Sequence, residues 1–229
     1  MQKVTIAGIF SLVVINGLFF PAFAFAASQF MVTWEADSYV PGWYSGKALP
    51  TRNSLIRVAF ELIDNGKPVN LSKSIVRWYV NDELVRNEAH GLGITAYQFK
   101  TSDYPGNETE VRISIPNYKG SSVDKILRIP VAHPEVIIQG GRMDGTLGRG
   151  ETMFRGFPFF FNIRNLSNLR FAWTAANQGS EGSEDSPWDF SLSIPESVPL
   201  GTPIEIGLTA QNNASPLEMG NISKTMMVR

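Results

Sequence analysis

The chain has no cysteine and only two histidines. Without thiols there is no thiol nucleophile, no thiolate metal site and no disulfide staple, so the fold must be held by its apolar core. Histidine-based catalysis would have to run through His90, in a turn-like Ala89-His90-Gly91, or His133, in Ala132-His133-Pro134. No Gly-x-Ser-x-Gly elbow accompanies either one. Charge is also sparse and balanced, with 20 Lys+Arg against 21 Asp+Glu. That excludes the basic stripe a nucleic-acid-binding surface needs. Helical periodicity is missing beyond the N-terminus, and no second long apolar run follows the first.

What is present begins with a three-part leader. Lys3 precedes an apolar run from Val4 to Phe20, which Pro21 breaks before Ala22-Phe23-Ala24-Phe25-Ala26. Ala24 and Ala26 are the small pair a signal peptidase inspects, so residues 1–26 read as a secretory signal cleaved after Ala26. The alternative is an uncleaved anchor, for which the run is near the lower length limit. No cysteine follows the cleavage point, which excludes a lipid anchor there. The expected location is extracytoplasmic: secreted, at the cell surface or in the periplasm. Export without disulfides fits a bacterial protein.

The rest reads as strands. Ile56, Val58, Phe60 and Leu62 alternate with Arg57, Ala59 and Glu61, the period of a half-buried strand. Asp64-Asn65-Gly66 supplies a tight turn. Val76, Trp78 and Val80 share the next inward face, and Asn81-Asp82 turns that strand into Leu84-Val85 without the customary glycine. Tyr97 and Phe99, then Val111, Ile113 and Ile115, then Ile126 to Val131 complete a first unit. Pro134 biases His133 towards an extended backbone and marks a junction. Val136-Ile137-Ile138 opens a second unit, with Gly140 to Gly150 as a loop inside it. Phe157, Phe159, Phe161 and Ile163 alternate, and the Trp173, Phe190, Ile206 and Ile222–Val228 strands follow in the order of the first unit.

Trp78 and Trp173 lie 95 residues apart in matching strand-like runs. This is close to the roughly 100 residues of an immunoglobulin-type sandwich, whose third strand commonly carries a buried Trp. Trp78 precedes Ile113 by 35 positions and Trp173 precedes Ile206 by 33. The expected fold is all-β, with two tandem immunoglobulin-like sandwiches at 27–133 and 134–229 behind the signal segment.

The run Val76-Arg77-Trp78-Tyr79-Val80-Asn81-Asp82-Glu83-Leu84-Val85 resembles the hairpin after the third strand of immunoglobulin-like modules, including bacterial PKD-like surface repeats. The resemblance implies a sandwich and an extracytoplasmic role. The segment Trp34 to Pro50 is also similar to exported bacterial proteins. Two such units behind a leader further resemble periplasmic pilus chaperones, although their paired Arg and Lys anchor has no evident counterpart here.

Four constellations are candidates for chemistry. The histidines are one. The acidic stretch 181–189 offers Glu184, Asp185 and Asp189 to a hard cation such as calcium, but lacks EF-hand spacing. Gly140 to Gly150 lacks the Gly-Lys-Ser/Thr of a phosphate loop. Trp34, Tyr39, Trp43 and Tyr44 can close the end of the first sandwich, or stack on a sugar or an apolar partner surface. Trp43 and Tyr44 are therefore the candidate ligand-binding residues, with no catalytic residue, cofactor or metal expected. The expectation is a non-enzymatic binding or spacer module with a protein or glycan partner at the cell surface. Membrane contact would come only through an uncleaved leader. A pilus-type chaperone and a glycan-binding accessory domain are the alternatives.

Overall fold

The computed structural model describes residues 28–176, 178–180 and 182–229, so the expected signal segment lies outside the described residues. Regular structure there consists of strands and two single-turn 3-10 helices, Glu88–His90 and Leu166–Asn168.

Eight strands build the first sandwich: β1 (Gln29–Ala36), β2 (Leu55–Asp64), β3 (Lys67–Pro68), β4 (Arg77–Val80), β5 (Glu83–Arg86), β6 (Ala96–Lys100), β7 (Glu108–Tyr118) and β8 (Ser121–Pro130). One sheet joins β1, β2 and β3, with β6 also on β2; the other runs β5-β4-β7-β8. The period-two face of β2 is buried as its sequence dictates, with Ile56, Val58, Phe60 and Leu62 inward. They pack with Val76, Trp78, Val111, Ile113 and Ile129 in one apolar cluster.

The second sandwich comprises β9 (Glu135–Gly140), β10 (Thr146–Leu147), β11 (Gly150–Phe159), β12 (Leu169–Ala175), β13 (Gln178–Ser180), β14 (Asp189–Ile194), β15 (Pro203–Asn212) and β16 (Met219–Val228). Its sheets run β14-β11-β9 and β10-β16-β15-β12-β13. A separate apolar cluster lies between them, built on Phe154, Trp173, Phe190, Ile206 and Leu208. Ignoring the small β3 and β10, the two sandwiches share one strand order.

The two tryptophans hold the same place. Trp78 on β4 faces Ile113 on β7, and Trp173 on β12 faces Leu208 on β15. The second partner is thus Leu208 rather than Ile206, and the separation is 35 residues in both sandwiches. Trp78 Nε1 donates to the Ile94 carbonyl at 2.9 Å, and Trp173 Nε1 to the Pro187 carbonyl at 3.0 Å. Each acceptor lies two residues before the next strand, β6 or β14. A buried indole N–H needs such a partner, so the loop is tied to the core beneath it. Gly156 on β11 makes room here: a side chain there would run into Leu208.

Asn81-Asp82 turns the β4–β5 hairpin without glycine. Both residues take left-handed backbone, φ 47° and 65°, which the two-residue hairpin turn requires. Asn81 tolerates it because its side chain is anchored locally. The carboxamide donates to Asp103 at 2.9 and 3.1 Å and accepts from the Glu110 N–H at 2.9 Å.

Two other expectations change. The stretch from Gly140 to Gly150 is more than a loop. Gly140 and Gly141 (φ 146° and 71°) carry the chain from β9 in one sheet to β10 in the other, where β10 pairs parallel with β16 and buries Leu147. The aromatic run of β11 also splits between faces. Phe154 joins the core, whereas Phe157 and Phe159 contact rings from the first half of the chain. In the first sandwich no described strand covers β8 as β10 covers β16. Asp124, Lys125 and Arg128 are exposed along β8, and such charges guard an open edge.

Surface ion pairs set the acid response. Arg77 forks onto Glu88 (Nε–Oε2 3.0 Å, Nη2–Oε1 2.7 Å). These bonds hold the Glu88 carboxyl down to about 2. Lys119, with Ser28, lowers Asp64 as well. A carboxylate lowered in the folded state stabilises fully above its unfolded pKa, and that contribution is lost as pH falls through the folded pKa. The melting temperature should therefore carry the full contribution of these pairs around neutral pH and not vary with pH through them there. For Glu88 the loss should develop between 4.5 and about 2. Thermal melts of wild type and Glu88→Gln across that range check it: the variant should lose less on acidification.

Candidate functional site

The loop between β1 and β2 builds the site because it does not stay with the first sandwich. It starts from β1 with the Asp37 N–H on the Leu55 carbonyl at 2.9 Å, then forms an isolated antiparallel bridge between Tyr39 and Phe161. The Tyr39 N–H donates to the Phe161 carbonyl, and the Phe160 N–H donates to the Tyr39 carbonyl, each at 2.7 Å. Tyr39 packs on the second apolar cluster, and burial pushes its hydroxyl pKa up. The chain then returns: Lys47 Nζ sits 3.7 Å from the Trp34 ring centroid, Ser38 Oγ donates to the Leu49 carbonyl, and the Ala132 N–H donates to the Pro50 carbonyl.

Trp43 and Tyr44 stand at the far point of this excursion. Trp43 meets Phe157 and Phe159 edge-on, with centroids at 5.4 and 5.8 Å and interplanar angles of 84° and 76°. Tyr44 meets Phe159 and Phe160 at 5.4 and 6.1 Å. The aromatic quartet therefore does not close the end of the first sandwich: Trp34 remains there, while Tyr39, Trp43 and Tyr44 lie on the second. Phe159 and Phe160 are buried, yet Trp43 keeps 59% of its surface exposed. On the same face of β11, Arg155 forks onto Asp189 of β14 (2.5 and 2.7 Å). Gln139 of β9 stands opposite Arg155.

A second feature lies between the sandwiches, a polar cleft of about 480 Å³. Asp37, Asn53 and Lys100 line it from the first sandwich, and Asn162, Arg164 and Asn213 from the second. Its frame is fixed by hydrogen bonds. Asn162 Nδ2 reaches the Asn53 carbonyl at 3.4 Å, the Asn162 N–H donates to Glu218, and the Asn213 N–H donates to the Asn168 carbonyl at 2.9 Å. A smaller hollow of about 270 Å³ adjoins it, sharing Asp37 and Leu55 and ending at the Glu35–Arg57 ion pair. Sequence reading missed this cleft because its walls lie more than 60 residues apart in the chain and its asparagines look like ordinary turn residues.

The other candidates separate. Asp189 is buried and its carboxylate is occupied by Arg155, so it is unavailable to a cation beside the exposed Glu184 and Asp185. Among the described residues no group of three or more carboxylate or imidazole side chains is placed to hold a metal ion. His90 closes a 3-10 turn, its Nδ1 2.9 Å from Asn87 Oδ1. His133 is exposed at the junction. Within the described residues no helix is long and apolar enough to cross a membrane.

No protein-family model and no curated protein matches the chain. Among solved structures it is similar to the fibronectin(III)-like modules of Clostridium thermocellum CbhA, at 12% identity and a TM-score of 0.31, over 87% of this chain and 94% of that one. It is also similar to three N-terminal domains of the outer capsid protein Hoc of bacteriophage RB49, at 9% identity and a TM-score of 0.43, over 88% of this chain and 59% of that one. A third likeness is to Bacteroides ovatus SGBP-B, solved with a mixed-linkage heptasaccharide, at 12% identity and a TM-score of 0.25, over 86% of this chain and 47% of that one. The immunoglobulin-like β-sandwich fold stands on the strand order described above, and these distant likenesses add no function to it.

Proposed function

We propose that this chain is a non-enzymatic, extracytoplasmic binding module made of two immunoglobulin-like domains, divided near Pro134, that presents Trp43 to a partner. The β1–β2 loop carries the reading. By crossing to the second sandwich and returning, it joins two separate cores into one body and props a tryptophan on a scaffold of phenylalanines with more than half its surface open. An aromatic held this way costs little entropy on contact and suits a sugar ring or an apolar partner patch. The local capping role of His90 and the Arg155-bound state of Asp189 support a role other than catalysis. Kinship with PKD-like repeats belongs to the same reading.

Backbone ¹⁵N relaxation tests the coupled body. Both sandwiches should share one rotational correlation time in the wild type, and replacing residues 42–46 with a Gly/Ser stretch should separate the two values. Independent tumbling in the wild type would overturn the reading.

The pilus-type chaperone alternative draws on the interunit cleft and on the open β8 edge. However, Lys100 and Leu55 of the cleft belong to the β2–β6 sheet, while β8 belongs to the opposite one. The anchor and the strand-accepting edge that a chaperone must combine are thus on different sheets. A glycan-binding accessory role fits Trp43 better, with Gln139 of β9 and Arg155 of β11 on the same sheet.

A further inference from the structure

We infer that the cleft between the sandwiches is a second binding site, distinct from Trp43, and that it takes an acidic saccharide chain. Three observations converge. First, the charges facing the cleft are Lys100, Arg164 and Asp37, and none has an ion-pair partner among the described residues. The cations come from different sandwiches, Lys100 from β6 and Arg164 from the segment after β11, and against the single carboxylate of Asp37 they leave the cleft with an excess of positive charge. Second, the remaining polar lining is amide. Asn53, Asn168 and Asn213 each present a group that donates and accepts, the pairing that vicinal hydroxyls require. The cleft has no aromatic ring, and its large apolar side chains, Leu55 and Ile163, are only partly exposed, so the polar groups set what it can recognise.

Third, the amide frame is already immobilised. Asn53 holds a left-handed backbone (φ 67°) with its N–H on the Thr101 carbonyl at 2.9 Å. Asn213 is tied to Asn168 and Ser167. Beneath them Asn212 is buried and locked by Glu218 at 2.6 Å. Side chains held by other contacts give up less entropy when a ligand arrives. The volume of about 480 Å³ lies within the ordinary range for small-ligand sites. The adjoining hollow at Asp37 continues the cleft along β1 and β2, giving it the open, elongated form that suits a chain rather than a single ring.

The test uses the protein spanning residues 28–229 and four probes: tetra-galacturonate, a neutral tetrasaccharide such as cellotetraose, tetra-aspartate and sodium acetate. Amide chemical-shift mapping and calorimetry supply the readout. Tetra-galacturonate should shift the backbone signals of Asn53, Asn162 and Asn213, bind more weakly as salt rises, and exceed cellotetraose in affinity by at least about tenfold, the worth of one charge-assisted hydrogen bond. Lys100→Gln with Arg164→Gln should abolish that preference, and Trp43→Ala should leave it intact. Both substituted positions in the double variant are exposed, and a circular-dichroism melt confirms that it folds. Tetra-aspartate binding as tightly as the saccharide would overturn the proposal in favour of an acidic peptide, and no shift in the cleft at millimolar probe would overturn it outright. Binding lost in Trp43→Ala and kept in the double variant would return the saccharide to the aromatic site; loss only in the double variant supports the cleft whether or not Trp43 has a partner.

Discussion

Trp173→Ala should unfold the second sandwich at temperatures where the first stays folded, and Trp78→Ala should do the reverse. Each ring is almost wholly buried, at 1% and 0% exposure, between both sheets of its own core. Trp173 stacks on Phe190 at 5.2 Å, and Trp78 packs against Phe60 at 5.7 Å. Emptying such a site costs about 3–5 kcal/mol in transfer and cavity terms. Losing the indole N–H also leaves the Pro187 or Ile94 carbonyl without its donor, adding about 1 kcal/mol. Against a typical domain stability of about 5–15 kcal/mol, that removes a large fraction of the total. Differential scanning calorimetry is the measurement. Two transitions should be seen. Trp173→Ala should move mainly the second, whereas Trp78→Ala should move the first strongly and the second only by the support lost with the β1–β2 loop. Phe in place of Trp should recover much of the packing and none of the carbonyl contact. A single transition shifting as a whole in both variants would mean that the two cores do not melt as separate units.

The second large effect acts across the junction. Trp43→Ala combined with Tyr44→Ala changes only residues from the first half of the chain, yet the second transition should fall, by about 2–4 kcal/mol. The rings over Phe157, Phe159 and Phe160 supply apolar burial worth about 1.5–3 kcal/mol for each fully covered side chain, plus edge-on aromatic contacts of about 0.5–1.5 kcal/mol. Because Trp43 is itself half-exposed, the lower part of the range applies to it. The isolated stretch 134–229 should show the same deficit, since its phenylalanines would face water. Tyr39→Ala should add to it by removing a ring that packs on the second core. Calorimetry of the double variant, the fragment and the full chain would decide the matter. If the second transition is unmoved in the double variant, the loop rests on the second sandwich without stabilising it.

Period-two alternation made most of the strands legible in advance. In β2, β7 and β15 the apolar positions are the buried ones, because a half-buried strand has only one way to place them. The tryptophans were legible as matching core positions, though Leu208 rather than Ile206 completes the second pair. The β4–β5 turn was legible at Asn81-Asp82 even without a glycine, since Asn81 reaches the required backbone through side-chain bonds to Asp103 and Glu110. Two other features were hidden for physical reasons. The route of Trp43 and Tyr44 was hidden because an aromatic loop residue satisfies its need for burial equally well on either sandwich. Only the Tyr39–Phe161 bridge, a contact between residues more than 120 positions apart, selects the second. The cleft combines lysine, arginine and asparagines, whose sequence patterns are those of any solvated turn. The acidic stretch misled in the opposite direction: Asp189 looked free on a loop and is the first residue of β14, clamped by Arg155.

The two-residue strand β10 has an effect out of proportion to its length. Two copies of this chain meeting β8 to β8 would each use the same edge, an isologous contact that closes on itself and leaves no such edge over. The corresponding edge of the second sandwich is taken by Thr146 and Leu147 at the Met227–Val228 end of β16. Strand addition through this pair of equivalent edges is thus blocked at that end of β16, and the block is set by Gly140 and Gly141, which let the chain change sheets.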